Sequence, residues 1–213
     1  MKTFETEQEK FWAGEFGDQY IERNKSAQYL ASNLRMFSNV LSHVEPVQTV
    51  IEFGANIGVN LMAVKQLLPK AELSAIEIND KAVAQLREAN VFKVYPESIL
   101  SFKPDYQRDL VLIKGVLIHI NPDKLNGLYD LLYETSSRYI CVAEYYNPTP
   151  TELSYRGHQG KLFKRDFAGE MMDRFKDLRL VAYEFIYHRD RLFPQDDITW
   201  FLLEKPKRGV SHA

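Results

Sequence analysis

Short apolar runs alternate with amphipathic stretches through the first two thirds of the chain. "TVIEF" (49–53), "AELSAIEI" (71–78), "VFKVY" (91–95), the start of "RDLVLIKGVLIHI" (108–120) and "RYICVAEY" (138–145) read as five strands. Helical stretches lie between them: "GVNLMAVKQLLP" (58–69), "NDKAVAQLREAN" (79–90) with Asn79 or Asp80 as N-cap, and "NPDKLNGLYDLLYETS" (121–136) with Pro122 near its first turn. A further helix is expected from Ser26 to His43, where Leu30, Leu34, Phe37, Val40 and Leu41 fall near helical spacing, and Pro46 ends it. Alternation of this kind predicts a mostly parallel sheet with helices on both faces.

The rhythm then breaks. "YNPTPTELSYRGHQGKLF" (146–163) reads as irregular, "KRDFAGEMMDRF" (164–175) as a helix, and "LRLVAYEFIYHR" (178–189) with "DITWFLLEK" (197–205) as two consecutive strands. Without a helix between them, those two predict an antiparallel pair at the sheet edge. The expected fold class is therefore α/β, Rossmann-like, with a seven-stranded sheet ending in an antiparallel hairpin. That order is found in class I S-adenosylmethionine-dependent methyltransferases. Residues 1–46 are expected to form an N-terminal helical lid, 47–205 the main domain and 206–213 a frayed tail.

Composition narrows the ligands. The 213 residues suffice for one domain with a sizeable core, and 27 Lys and Arg against 29 Asp and Glu imply no polyanion-binding surface. A small-molecule partner is expected, with no nucleic acid and no membrane. The single cysteine, Cys141, lies in an apolar run and excludes an intrachain disulfide framework, which suits a reducing cytoplasm. The charged start "MKTFETEQEKFW" has no apolar signal region, and no stretch approaches the ~18 apolar residues of a membrane span. Five scattered His and no H-E-x-x-H or CxxC spacing argue against a metal site.

The candidate chemistry begins at "VIEFGANIGVN" (50–60). Gly54, Asn56 and Gly58 are spaced by two, and the third glycine of a dinucleotide fingerprint would fall at Val59. Glu52 at the strand end would repel phosphates over that turn and favours a cationic, phosphate-free ligand such as S-adenosylmethionine. Asn enters positive-φ conformations readily, so Asn56 can take a glycine's place. Glu77, 19 residues past Gly58, is placed to accept both ribose hydroxyls of a nucleoside.

"FWAGEFGDQYIERN", "IEFGANIGVNL", "LVLIKGVLIHINPDKL", "AEYYNPTP", "SYRGHQGKLFKRDFAGE" and "FPQDDITWFLLEK" together resemble the pseudaminic acid biosynthesis-associated methylase family, a branch of the class I methyltransferases. The resemblance runs from about Phe11 to Lys205. It implies S-adenosylmethionine binding and methyl transfer, with an association to nonulosonic-acid sugar pathways, and the acceptor is accordingly expected to be a small, acidic sugar or nucleotide-sugar. It also implies Glu52, Gly54, Asn56 and Gly58 at the methionine end, Glu77 with Ile78 at the ribose, and Ser98 and Ile99 beside the adenine.

Ligands of open α/β sheets sit beyond the carboxyl ends of the strands. Lys114 and Gly115, candidate cofactor contacts, and His119 follow the fourth strand, and His119 is a candidate base, a backbone-bonded helix-start histidine, or a packing group against the cofactor. Glu144 and Tyr146, candidate catalytic groups, and Asn147, a candidate acceptor contact, follow the fifth, with Tyr145 beside them. Tyr155, Arg156, His158, Lys161, Lys164 and Arg165 form a basic and aromatic cluster, in which Arg156 is a candidate clamp for an acidic sugar. Trp12, Phe16 and Tyr20 make a helical stripe that would close as a lid, with Tyr20, Arg23 and Asn24 reaching inward. Two rival functions remain: a nicotinamide-dependent oxidoreductase, disfavoured by Glu52 and the absent third glycine, and a noncatalytic S-adenosylmethionine-binding regulator of a sugar-modifying pathway.

Overall fold

A computed structural model describes residues 4–21 and 26–206. Seven strands form one sheet: β1 (Thr49–Phe53), β2 (Glu72–Ile76), β3 (Lys93–Tyr95), β4 (Arg108–Lys114), β5 (Ser136–Glu144), β8 (Arg179–Ile186) and β9 (Ile198–Glu204), in the order β3-β2-β1-β4-β5-β9-β8. β1 to β5 pair in parallel, and β9 enters antiparallel between β5 and the edge strand β8. The sequence expectation for this sheet is met, including the closing hairpin.

The central strands are continuous apolar runs because both of their faces are covered. On one face, Ile51, Phe53, Val111, Ile113, Ile140 and Val142 pack under α6 (Leu125–Thr135) and α7 (Phe167–Arg174). On the other, Val50, Leu110, Leu112, Cys141 and Ala143 meet α3 (Ala27–Leu41) and α4 (Val59–Leu67). Cys141 is fully buried and its thiol is pushed up to about 12 by that burial, so it is a packing residue. On the second face also lies α5 (Asp80–Glu88), capped as expected by Asn79, whose Oδ1 accepts from the N–H groups of Lys81 and Ala82.

Two features depart from expectation. The stretch read as irregular contains a β-hairpin, β6 (Thr151–Tyr155) paired antiparallel with β7 (His158–Lys164). Its turn is Arg156–Gly157, with φ of +52° and +86°, the double positive φ of a type I′ turn. The usual Asn-Gly or Asp-Gly signal is replaced by Arg-Gly, which hid the turn. The aromatic N-terminal stripe is also two helices, α1 (Glu7–Ala13) and α2 (Glu15–Ile21), which meet at Gly14. They lie across the carboxyl ends of the strands, whereas Met36, Phe37 and Val40 of α3 belong to the buried core. No helix among the described residues is long and apolar enough to cross a membrane.

Candidate cofactor and acceptor site

Strand parity decides which side chains reach the ligand end. After Phe53 the chain turns through Gly54, Asn56 and Gly58, all at positive φ (+75°, +49° and +81°). Asn56 thus holds the left-handed conformation anticipated for it. A Cβ at Gly54 would come within 2.7 Å of Val116, and one at Gly58 within 2.7 Å of Leu86. Both glycines are therefore required by packing as well as by conformation. The N–H of Asn56 donates to Glu77 Oε2 (2.7 Å), and that of Asn79 donates to Glu77 Oε1 (2.8 Å). These bonds aim the Glu77 carboxylate into a cavity walled by the turn, the loops after β2, β3 and β4, and the lid.

Of the sequence-derived cofactor residues, Gly54, Asn56, Glu77, Ile78, Ser98, Ile99, Lys114 and Gly115 all line this cavity. Glu52 and Gly58 do not. Glu52 shares parity with Val50, so it points beneath the turn toward α4, where Asn60 Nδ2 donates to its Oε1 (2.6 Å). Complete burial lifts its carboxyl to about 8, against the opposing pull of Asn60 and Lys114, so it is protonated at neutral pH. Its expected role as a charged contact is thereby corrected: a neutral Glu52 braces the turn from below. Lys114, also on this face, is buried with its Nζ donating to Tyr29 Oη (2.9 Å). Among the described lining residues it is the one lysine, and no arginine accompanies it.

The hairpin organises the roof. His119 is buried, with Nδ1 2.5 Å from the Lys161 carbonyl oxygen. A carbonyl only accepts, so Nδ1 carries the proton and Nε2 is left with a lone pair. Burial lowers the His119 pKa to about 4, against that backbone bond, so the ring is neutral at physiological pH. Trp12 and Tyr155 flank the imidazole at centroid distances of 4.6 and 4.7 Å. Tyr20, Tyr29, Tyr145 and Asp196 complete the far end of the cavity. Burial is also the main reason the Tyr20 and Tyr145 phenols are raised above their ordinary range.

The remaining candidates take other positions. Glu144, with the parity of Ile140 and Val142, accepts from the N–H groups of Val116 and Leu117 (both 2.9 Å) and anchors the loop bearing His119. Burial raises its carboxyl to about 7, opposed by those bonds. Its expected direct part in chemistry becomes a positioning one. Tyr146 is exposed against Phe201, and Asn147 binds Thr149 and Thr151 within its own loop. Tyr145, one residue earlier and of opposite parity, is the tyrosine that lines the cavity. Arg156 sits exposed at the hairpin turn with its guanidinium 5.7 Å from the Tyr155 ring, so it clamps nothing inside. His158 and Lys161 pack outside the cavity against Phe11 of the lid. Arg23 and Asn24 lie outside the described residues. Sequence reasoning missed Gln8, Glu9, Tyr29 and Asp196, none of which sits in a recognisable motif.

The sheet order and the left-handed turn opening onto this cavity define the class I S-adenosylmethionine-dependent methyltransferase fold. Three similar solved structures have that fold. They are the plantazolicin methyltransferase BpumL with SAH (13% identity, TM-score 0.64, 93% of each chain covered), magnesium protoporphyrin IX methyltransferase from Synechocystis PCC 6803 with bound SAM (11%, 0.67, 96% of this chain and 100% of that one), and 1,6-didemethyltoxoflavin-N1-methyltransferase from Burkholderia thailandensis with S-adenosylhomocysteine (11%, 0.67, 92% and 86%). No protein-family model matches the chain, and no curated protein matches it in sequence.

Proposed function

We propose that the chain is a methyltransferase that uses S-adenosylmethionine to methylate an oxygen or nitrogen of a small acidic sugar or nucleotide-sugar. The observation that carries the cofactor reading is the Gly54-Asn56-Gly58 turn, whose own backbone aims Glu77 into a lidded cavity at the carboxyl ends of β1, β2 and β4. Glu77 would hold the ribose hydroxyls, Ile78 and Ile99 the base, and Lys114 the negative charge at the methionine end. The cofactor supplies a methyl group activated by a sulfonium, so positioning and exclusion of water are the protein's main tasks.

The acceptor end supports a sugar through its aromatic walls, Tyr20, Tyr145 and Tyr155, against which a ring can stack. Lys164 Nζ lies 5.1 Å from the centre of the Tyr145 ring, placing positive charge behind this wall, while the Asp196 carboxylate lines the same end. His119 offers its Nε2 lone pair to an acceptor O–H or N–H. With a pKa near 4 it orients that group and does not retain its proton at neutral pH.

The test is calorimetry with S-adenosylhomocysteine and with NAD(H), followed by incubation of methyl-labelled cofactor with acidic nonulosonic-type sugars and their nucleotide conjugates. Binding of the homocysteine ligand and labelling of one such sugar are expected. Binding of NAD(H) alone would overturn the cofactor assignment. Tight cofactor binding with no label on any metabolite would favour a noncatalytic regulator.

A further inference from the structure

Two polar atoms of the lid are buried without a hydrogen-bond partner among the described residues, Gln8 Oε1 and Trp12 Nε1. Both residues line the cavity. They are four apart on α1, so their side chains leave the same helix face. The orientation of the Gln8 amide is settled by its neighbour. Its Nε2 donates to the Gly160 carbonyl oxygen (2.9 Å), and a carbonyl can pair only with the NH₂ side. Oε1 is therefore a fixed acceptor lacking a donor, and the indole N–H is a donor lacking an acceptor. Gln8 is 8% exposed. Leaving such groups unpaired in a buried place is costly, and native structures rarely do so without a reason.

We infer that the first lid helix reads the nucleobase of the cofactor, with Gln8 Oε1 accepting from the 6-amino group of adenine and Trp12 Nε1 donating to a ring nitrogen beside it. Position supports this ligand. Glu9, the residue after Gln8, accepts from Ser98 Oγ (2.5 Å) in the loop after β3, so α1 is docked on the loop that borders the base. The base, set beyond a ribose held at Glu77, falls among Ile78, Ile99, Leu100 and Ile120, which share the cavity with Gln8. The Ser98 hydroxyl is already committed, donating to Glu9 and accepting from the Leu100 N–H, and the Glu9 carboxylate also receives the N–H groups of Glu5 and Thr6. On α1, Gln8 Oε1 and Trp12 Nε1 are the buried side-chain atoms without a partner among the described residues. An adenine edge offers an amino donor next to a nitrogen acceptor, the complement of this pair, whereas a 6-oxo purine turns an acceptor toward Gln8. Adenine binding and lid closure are then one event.

The inference rests on the cofactor reading above, and the experiment separates the two. Affinities of the intact protein for S-adenosylhomocysteine, S-inosylhomocysteine and the 1-deaza and 7-deaza adenine analogues are measured by calorimetry for wild type, Gln8→Leu, Gln8→Glu and Trp12→Phe. Wild type should prefer the adenine ligand over the inosine ligand by about tenfold or more, the value of one well-made buried hydrogen bond. Gln8→Leu should lower that ratio several-fold, fully to about twofold if Trp12 pairs with N7 and only in part if it pairs with N1, which is protonated in inosine; Gln8→Glu, which gives up the donor to the Gly160 carbonyl, should weaken every ligand yet still favour adenine over inosine. Trp12→Phe should weaken S-adenosylhomocysteine about tenfold yet leave one of the two deaza analogues unchanged. An unchanged adenine-to-inosine ratio in Gln8→Leu, or equal losses for every analogue in Trp12→Phe, overturns the inference with cofactor binding intact. Failure of wild type to bind any of these ligands overturns the cofactor reading itself.

Discussion

Glu52 shows how far a single residue's meaning depends on the pleat. In sequence it is an acid two places before a glycine turn. In the fold its parity sends it under α4, fully buried and bonded to Asn60. A carboxyl whose folded pKa rises from 4.5 to about 8 is more protonated in the native than in the unfolded state between those values. Its stabilising contribution is present in full below about pH 4.5 and is lost as pH rises through about 8. Glu52→Gln should therefore gain on wild type as pH rises from about 4.5 to about 8 and level off above that; parallel melting temperatures across the whole range would refute the assignment. Glu77 is different, because its carboxylate is held at the cavity by two backbone N–H donors. Glu77→Ala should weaken S-adenosylhomocysteine binding at least tenfold, consistent with loss of charge-assisted hydrogen bonds. His119→Ala should lower turnover with little change in that affinity, and equal affinity losses would contradict the division of roles.

At the scale of elements, the sheet was legible and the hairpin was not. Runs such as "RDLVLIKG" are buried on both faces, and burial is what apolar continuity reports. β6 carries no such signal, because all but one of its five residues are exposed. The same gap separates the two halves of the site. The turn and Glu77 follow one strand end and its neighbour and are readable locally, whereas Gln8, Tyr29 and Asp196 reach the cavity from elements distant in sequence. Choosing Tyr145 over Tyr146 needed only the parity of "RYICVAEY", a signal that was present in the chain. The hairpin matters because consecutive β7 carbonyls, Gly160 and Lys161, hold Gln8 and His119. Gly157, at φ +86° with open space where a Cβ would point, is there for conformation alone. Gly157→Ala should cost about 1–2 kcal/mol, seen as a fall of a few degrees in melting temperature. Arg156→Asn, which suits the same turn, should be neutral or stabilising and leave the Michaelis constant for the acceptor unchanged.

The whole molecule divides into a sheet with two buried cores and a lid that belongs to neither. No residue of α1 or α2 is a member of either core cluster. The two helices are held by aromatic packing, Trp12 on His119 and Phe11 on His158, and by polar contacts: Glu9 to Ser98, Gln8 to Gly160, Asp18 to Asn79 (2.9 Å) and Lys81 (2.7 Å), and Lys124 to Glu5 (2.8 Å). Of these, the Asp18–Lys81 and Glu5–Lys124 ion pairs are largely exposed and contribute little individually, so local opening at this margin should occur while the cores stay folded. Asp18→Ala removes two ties, to Asn79 and Lys81, at a residue that does not itself line the cavity. It should speed tryptic cleavage after Lys10 several-fold and leave the global melting temperature within about a degree, since local opening is separate from global unfolding. Saturating S-adenosylhomocysteine should slow that cleavage in both proteins, because a ligand bound beneath the lid favours the closed state by its differential affinity. Cleavage at the same rate with and without ligand would mean that α1 and α2 pack on the body independently of what the cavity holds.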